Sequence, residues 1–149
     1  MQVSGRAGRK NVNGDVIIQT YQPEHPVIKM CKEYKVEKFY KWETNLRKIK
    51  NQPPFSNFIS IISSSKFRQN AFNELENMKI KLKKKFTELN IYGPAPSVIE
   101  KKKNLYRFRL LLKLDKNYKK QKQIKTFLKT IIPTNMTKLF IDVDPLNFL

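Results

Sequence analysis

Two arginines set among small residues carry the first recognisable chemistry of this chain. Gln2, Gly5, Arg6, Gly8 and Arg9 stand in the pattern Q-x-x-G-R-x-G-R. A planar guanidinium fork binds phosphate oxygens and stabilises charge that develops in phosphoryl transfer. Gly5 and Gly8 let backbone approach closely, and the small Ala7 suits tight packing between the arginines. A second set of cations, Lys101, Lys102, Lys103, Arg107, Arg109 and Lys113, lies far along the chain. In that set the residue types suit the backbone of a polyanion, or equally a strand face in water.

Other chemistry is sparse. Cys31 is the only cysteine and His25 the only histidine. One of each cannot complete a tetrahedral zinc site, so no zinc or other metal is expected, and Cys31 reads as a packing or surface residue. The formal net charge of +19 points toward polyanions. Lysine far outnumbers arginine, a mixture that solvated positions also carry. With 149 residues, 40% of them hydrophobic, a packed core is within reach. No apolar run approaches the roughly 20 residues that span a bilayer, and the basic N-terminus lacks an apolar signal segment. A soluble, cytoplasmic protein is expected, with no membrane partner.

Several elements must position these residues. Asp15–Tyr21 is rich in β-branched residues and predicts a strand ended by Pro23, although a lone strand needs a sheet to pair with. From His25 to Lys50 the pattern is helical, with Phe39, Trp42, Leu46 and Ile49 at spacings of three and four. Gln52-Pro53-Pro54 stops it. Asn57–Ser63 reads as a strand, with Ser64 or Ser65 as the cap of the next helix. That helix carries Phe67, Ala71, Leu75, Met78, Leu82, Phe86 and Leu89 on one stripe. Gly93-Pro94-Ala95-Pro96 reads as a rigid connection to a hairpin whose first arm is Ser97–Lys102 and whose turn is Lys103-Asn104.

On the second arm, Tyr106, Phe108, Leu110, Leu112 and Leu114 face one way, and Arg107, Arg109, Leu111 and Lys113 the other. A second helix bears Ile124, Phe127, Leu128, Ile131 and Ile132 and stops at Pro133. A last strand, Lys138–Asp144, turns Leu139, Ile141 and Val143 inward. Tyr40, Trp42, Tyr106 and Phe108 suit core packing better than base stacking. Asp142 and Asp144 lack a third ligand and read as structural or as partner contacts. The order β-α-β-β-α-β predicts an α+β fold, the split βαβ arrangement of ferredoxin-like and ribosomal-protein-like domains.

The chain resembles the C-terminal part of the primosomal protein N′ (PriA) family, the replication-restart helicases of bacteria, in superfamily 2. The resemblance runs through Gln2–Arg9, Gly14–Pro26, Phe39-Tyr40, Glu43, Pro53–Ser56, Gly93–Pro96, Tyr106-Arg107, Leu110–Lys113 and Ile141–Pro145. Asn104 and Leu105 depart from it, standing where the family usually has a glycine and a basic residue.

The resemblance implies an ATP-driven motor moving 3′ to 5′ on DNA. Residues 1–24 would then be a remnant of a RecA-like helicase lobe 2, residues 25–52 a connecting helical segment, and residues 53–149 the C-terminal DNA-binding domain. In that frame Arg6 and Arg9 are catalytic, contacting ATP phosphates across a lobe interface. Gln2, Gly5, Arg6, Gly8 and Arg9 form the cofactor-binding motif for ATP and Mg. Lys101, Lys102, Lys103, Arg107, Arg109 and Lys113 bind DNA.

The sequence has no G-x-x-x-x-G-K-[ST] and no acidic helicase box, so the chain alone is expected to bind no ATP and to be inactive as an ATPase. Implied partners are forked or single-stranded DNA at the nucleoid, primosome proteins, single-strand-binding protein and a separately encoded N-terminal helicase part. A stand-alone nucleic-acid-binding module or a functionless gene remnant is the alternative.

Overall fold

The computed structural model describes residues 15–134 and 136–146. The chain divides into two compact units, Met1–Lys50 and Asn51–Leu149.

In the first unit, residues 15–21 form no strand, contrary to expectation. No neighbouring strand satisfies a ladder there, and β propensity alone does not hold an isolated strand in water. Ile17 and Tyr21 are accordingly exposed. The helical stretch that follows is two helices, α1 (Pro26–Lys32) and α2 (Val36–Ile49). His25 caps α1 by accepting a hydrogen bond from the Val27 amide through Nδ1, with Pro26 in the first turn, where no amide donor is needed. Between them Tyr34 takes a φ of 51°, which no helix interior tolerates. On α2, Phe39, Trp42 and Leu46 are half-buried and Ile49 is exposed.

The second unit has the expected order: β1 (Asn57–Ser65), α3 (Arg68–Lys85), β2 (Asn90–Lys102), β3 (Leu105–Leu114), α4 (Tyr118–Lys129) and β4 (Lys138–Val143). The four strands form one antiparallel sheet in the order β2-β3-β1-β4. Ile59, Ile61, Phe108, Leu110, Leu112 and Leu114 project from one face of it. They pack with Ala71, Leu75, Met78 and Leu82 of α3 and Ile124 and Leu128 of α4 in a single buried cluster. Both helices therefore cover the same face, as the α+β reading requires.

The helix boundaries are narrower than the apolar stripes. Phe67 is the N-cap of α3, mostly exposed, and no side chain caps that end. Ser65 stays in β1, where its hydroxyl donates to the Met136 carbonyl at 2.8 Å and accepts from the Phe67 amide at 3.3 Å. Phe86 leaves the helix at φ −130°, and Leu89 returns to the core from the following turn. Helix α4 begins at an Asn117 cap that accepts from the Lys120 amide at 3.1 Å, and it ends at Thr130, before Ile131 and Ile132. Ile132 is exposed.

The prolines after α3 lie inside β2. That strand starts at Asn90, and its pairing with β3 shifts register between Tyr92 and Ala95 and again between Pro96 and Lys101. An edge strand accepts proline at a bulge, where the missing donor faces away from the ladder. Gly93 sits at φ +97°, and a Cβ there would lie 2.7 Å from the Arg109 carbonyl oxygen. At the opposite edge, Leu139 packs on the core, while Ile141 and Val143 remain 36% and 42% exposed. The outermost strand thus reaches past most of the helical cover.

Candidate nucleic-acid interface

The β2–β3 hairpin closes with Lys102 opposite Leu105, leaving a two-residue turn at Lys103 and Asn104. Their φ values of 52° and 59° are those a type I′ turn requires. Asn104 meets this demand readily, because asparagine tolerates the left-handed region.

Directly opposed residues of antiparallel strands share a face, so register assigns each cation. Arg107 lies opposite Ser64, Arg109 opposite Ile62 and Lys113 opposite Phe58. All three stand on the face away from α3 and α4. Lys102, opposite Leu105, belongs to the same side at the hairpin tip, and Lys103 occupies the turn. Lys101 does not join them. It pairs with Tyr106 in register, and its ammonium lies 4.9 Å from that ring's centre, on the helix side.

Arg107 and Arg109 are two residues apart on one strand, so their attachment points are about 7 Å apart. Burial, and then the Arg107 charge, hold the Arg109 guanidinium below the usual arginine range. Two adjacent like charges favour an anion laid across them. Sequence reasoning missed a further cation here. Lys138 of β4 faces Ser64 on the side opposite Arg107, so lysine, serine and arginine form one row across three strands. The alternation Lys138, Phe140, Asp142 could have revealed it.

The aromatic residues sort differently from the sequence pattern. Phe108 is buried, edge-on to Phe72 at 5.6 Å and under the Arg68 guanidinium at 5.0 Å. Tyr106 is half-buried beneath Lys101 and Trp42 is half-buried, but Tyr40 is 63% exposed rather than packed. Phe140 and Tyr92, which carried no sequence signal of their own, lie on the face that bears Arg107 and Arg109 and are 62% and 53% exposed.

A separate cleft of about 230 Å³ opens between the end of α3 and the start of α4, lined by Lys85, Phe86, Leu89, Lys113, Lys120 and Ile124. At its rim Lys120 donates to Glu88 at 2.7 Å. Among the described residues no group of three or more His, Cys, Asp or Glu side chains could hold a metal ion, and no helix is long and apolar enough to cross a membrane. Gln2, Gly5, Arg6, Gly8 and Arg9 lie outside the described residues.

The family described as "Primosomal protein N C-terminal domain" matches residues 48–146. The chain is 33% identical to "Replication restart protein PriA" of Rickettsia prowazekii (strain Madrid E) over 147 residues, covering 99% of this chain and 22% of that protein. It is 33% identical to the protein of the same description from Synechocystis sp., over 98% of this chain and 17% of that protein. For Haemophilus influenzae the identity is 31%, over 97% of this chain and 20% of that protein. The chain thus spans about a fifth of the length of these relatives. With a four-stranded α+β domain matched along its length and near-complete coverage by such relatives, the chain belongs to the PriA family of replication restart proteins, through the primosomal protein N C-terminal domain.

Proposed function

We propose that this chain binds DNA through its C-terminal domain as part of a replication-restart helicase. The observation that carries this reading is the sheet face away from α3 and α4, where Arg107, Arg109 and Lys113 of β3 stand across β1 from Lys138 of β4. Lys102 and Lys103 extend that set to the hairpin tip, and Lys101 contributes from the other side. Residues 53–149 form the DNA-binding domain, residues 25–52 a connecting segment, and residues 1–24 the end of a motor lobe. In the assembled motor Arg6 and Arg9 reach ATP-Mg phosphates held by another part of the motor, with Gln2, Gly5 and Gly8 shaping the motif. The relatives' description as replication restart proteins supports DNA and primosome proteins as partners, with single-strand-binding protein among them, in the cytoplasm at the nucleoid.

A titration of the purified chain with DNA across salt concentrations tests the binding. Six phosphate contacts predict a log–log slope of about −5 on duplex and about −4 on a single strand. A flat slope overturns the reading. ATP hydrolysis by the chain alone is expected to be absent, because an arginine of this kind acts only on a nucleotide held by a phosphate loop. DNA-stimulated hydrolysis above that of Arg9→Ala would contradict this. The stand-alone module is the second reading. It is favoured by the compactness of Asn51–Leu149, which carries its own core, and it predicts binding unaffected by adding the motor part.

A further inference from the structure

The charges of the sheet face away from α3 and α4 account for attraction to phosphate, but they do not account for the two rings exposed among them. Phe140 faces Ile62, whose other neighbour is Arg109. Tyr92 faces Leu111, one row further along the same surface. Each residue exposes more than half of its surface, and each stands on an outer strand of the sheet, β4 and β2 respectively. Three inter-strand gaps and one row along the strands separate them, about 16 Å, and Arg109 lies between. Asp142 is the one carboxylate on the paired positions of this face among the described residues, so the surroundings are strongly cationic.

We propose that this face is a base-stacking platform for single-stranded nucleic acid, with Phe140 and Tyr92 each receiving a base while Arg107, Arg109 and Lys138 take the intervening phosphates. The proposal rests on the DNA-binding reading above and adds a site and a strand state to it. Charge complementarity commits the face to a polyanion. The rings choose among polyanions, because an exposed ring gains from an unpaired base and gains little from a duplex, whose bases already stack on each other. Guanidiniums are planar as well, so Arg107 and Arg109 can pair with phosphates or stack on a base on this face.

Fluorescence anisotropy of the full chain tests this with three labelled probes of equal length: a thymidine oligonucleotide, the same backbone with abasic sites, and a matched duplex. Phe140→Leu is expected to weaken binding of the thymidine strand on the order of tenfold, the range found for loss of one stacked base, and to leave the abasic strand and the duplex within about twofold. Phe140→Tyr is expected to restore the thymidine affinity. Phe140 is largely exposed, so neither change threatens the fold, and circular dichroism confirms that.

Equal weakening on all three probes, or no weakening on the thymidine strand, overturns the stacking platform. The charge reading has its own arm: Arg107→Glu with Arg109→Glu is expected to weaken all three probes. If the wild-type chain binds none of them, the DNA-binding reading itself fails. If it binds all with steep salt dependence but ignores Phe140, only the platform fails.

Discussion

Glu74 is a charged residue on the buried stripe of α3, where a sequence pattern asks for an apolar side chain. Its carboxylate oxygen accepts from the Thr134 amide at 3.2 Å, the Thr134 hydroxyl at 2.7 Å and the Thr137 hydroxyl at 2.9 Å. One residue thereby fixes the connection that leads into β4 and sets the position of Lys138 and Phe140. Replacing it with alanine strands these donors in a nearly dry site, which costs about 2 kcal/mol on the scale of hydrogen bonds to a carboxylate. Chemical denaturation of Glu74→Ala should show that loss, with Glu74→Gln intermediate because it keeps one acceptor. The opposite sign is expected at Ser63. Its hydroxyl is fully buried among the core residues, with no hydrogen-bond partner among the described residues. Ser63→Ala removes an unsatisfied polar atom of similar size and should leave stability unchanged or raise it by up to about 1 kcal/mol. A loss larger than that would mean the hydroxyl has a partner.

Strand β2 shows where sequence periodicity stops being readable. Its prolines and glycine look like a linker because the usual rules apply to central strands. At an edge, a bulge absorbs them, and the ladder resumes beyond. The glycine is the constraint that can be tested. Gly93→Ala meets both a positive φ and a close approach to the Arg109 carbonyl, so it should destabilise the domain by about 2 kcal/mol or more. It should also weaken DNA binding by displacing β3 beside Arg109. The turn before β2 is joined to α4 by the Glu88–Lys120 pair. That pair holds the Glu88 carboxyl below, and the Lys120 ammonium above, their ordinary values. A depressed carboxyl stabilises the fold above its unfolded pKa, and that stability is lost as pH falls through the lower folded value. Both groups are exposed, so the effect is small and screened by salt. Comparing Glu88→Gln with the parent chain at low ionic strength should show the difference above pH 5 and its disappearance toward acid. A difference that grew toward acid would assign the shift to another group.

At the scale of the whole molecule, alternation on β3 and the stripe of α3 made the core and the basic face legible. Strong period-2 and period-3.6 patterns leave only one set of residues to bury. Alternation along β4 could place Lys138 and Phe140 on one face, but not beside the arginines, since their partners, Ser64 and Ile62, come from a strand more than 70 residues away. Only the sheet order brings them beside Arg107 and Arg109. The same order concentrates charge. A chain with 31 lysines and arginines against 12 acids repels itself when folded. Its few described ion pairs are mostly solvent-exposed and contribute little each.

Salt should therefore act on this protein with two signs. Raising ionic strength from about 10 mM to about 150 mM shortens the Debye length from roughly 30 Å to 8 Å. That change screens repulsion between distant lysines but leaves the buried core untouched. The thermal midpoint of the DNA-free chain should rise over this range, while affinity for DNA falls steeply because the counterions released on binding gain less entropy in more concentrated salt. A midpoint that fell together with affinity would mean that the exposed ion pairs outweigh net repulsion, and that the excess positive charge carries no cost until a polyanion relieves it.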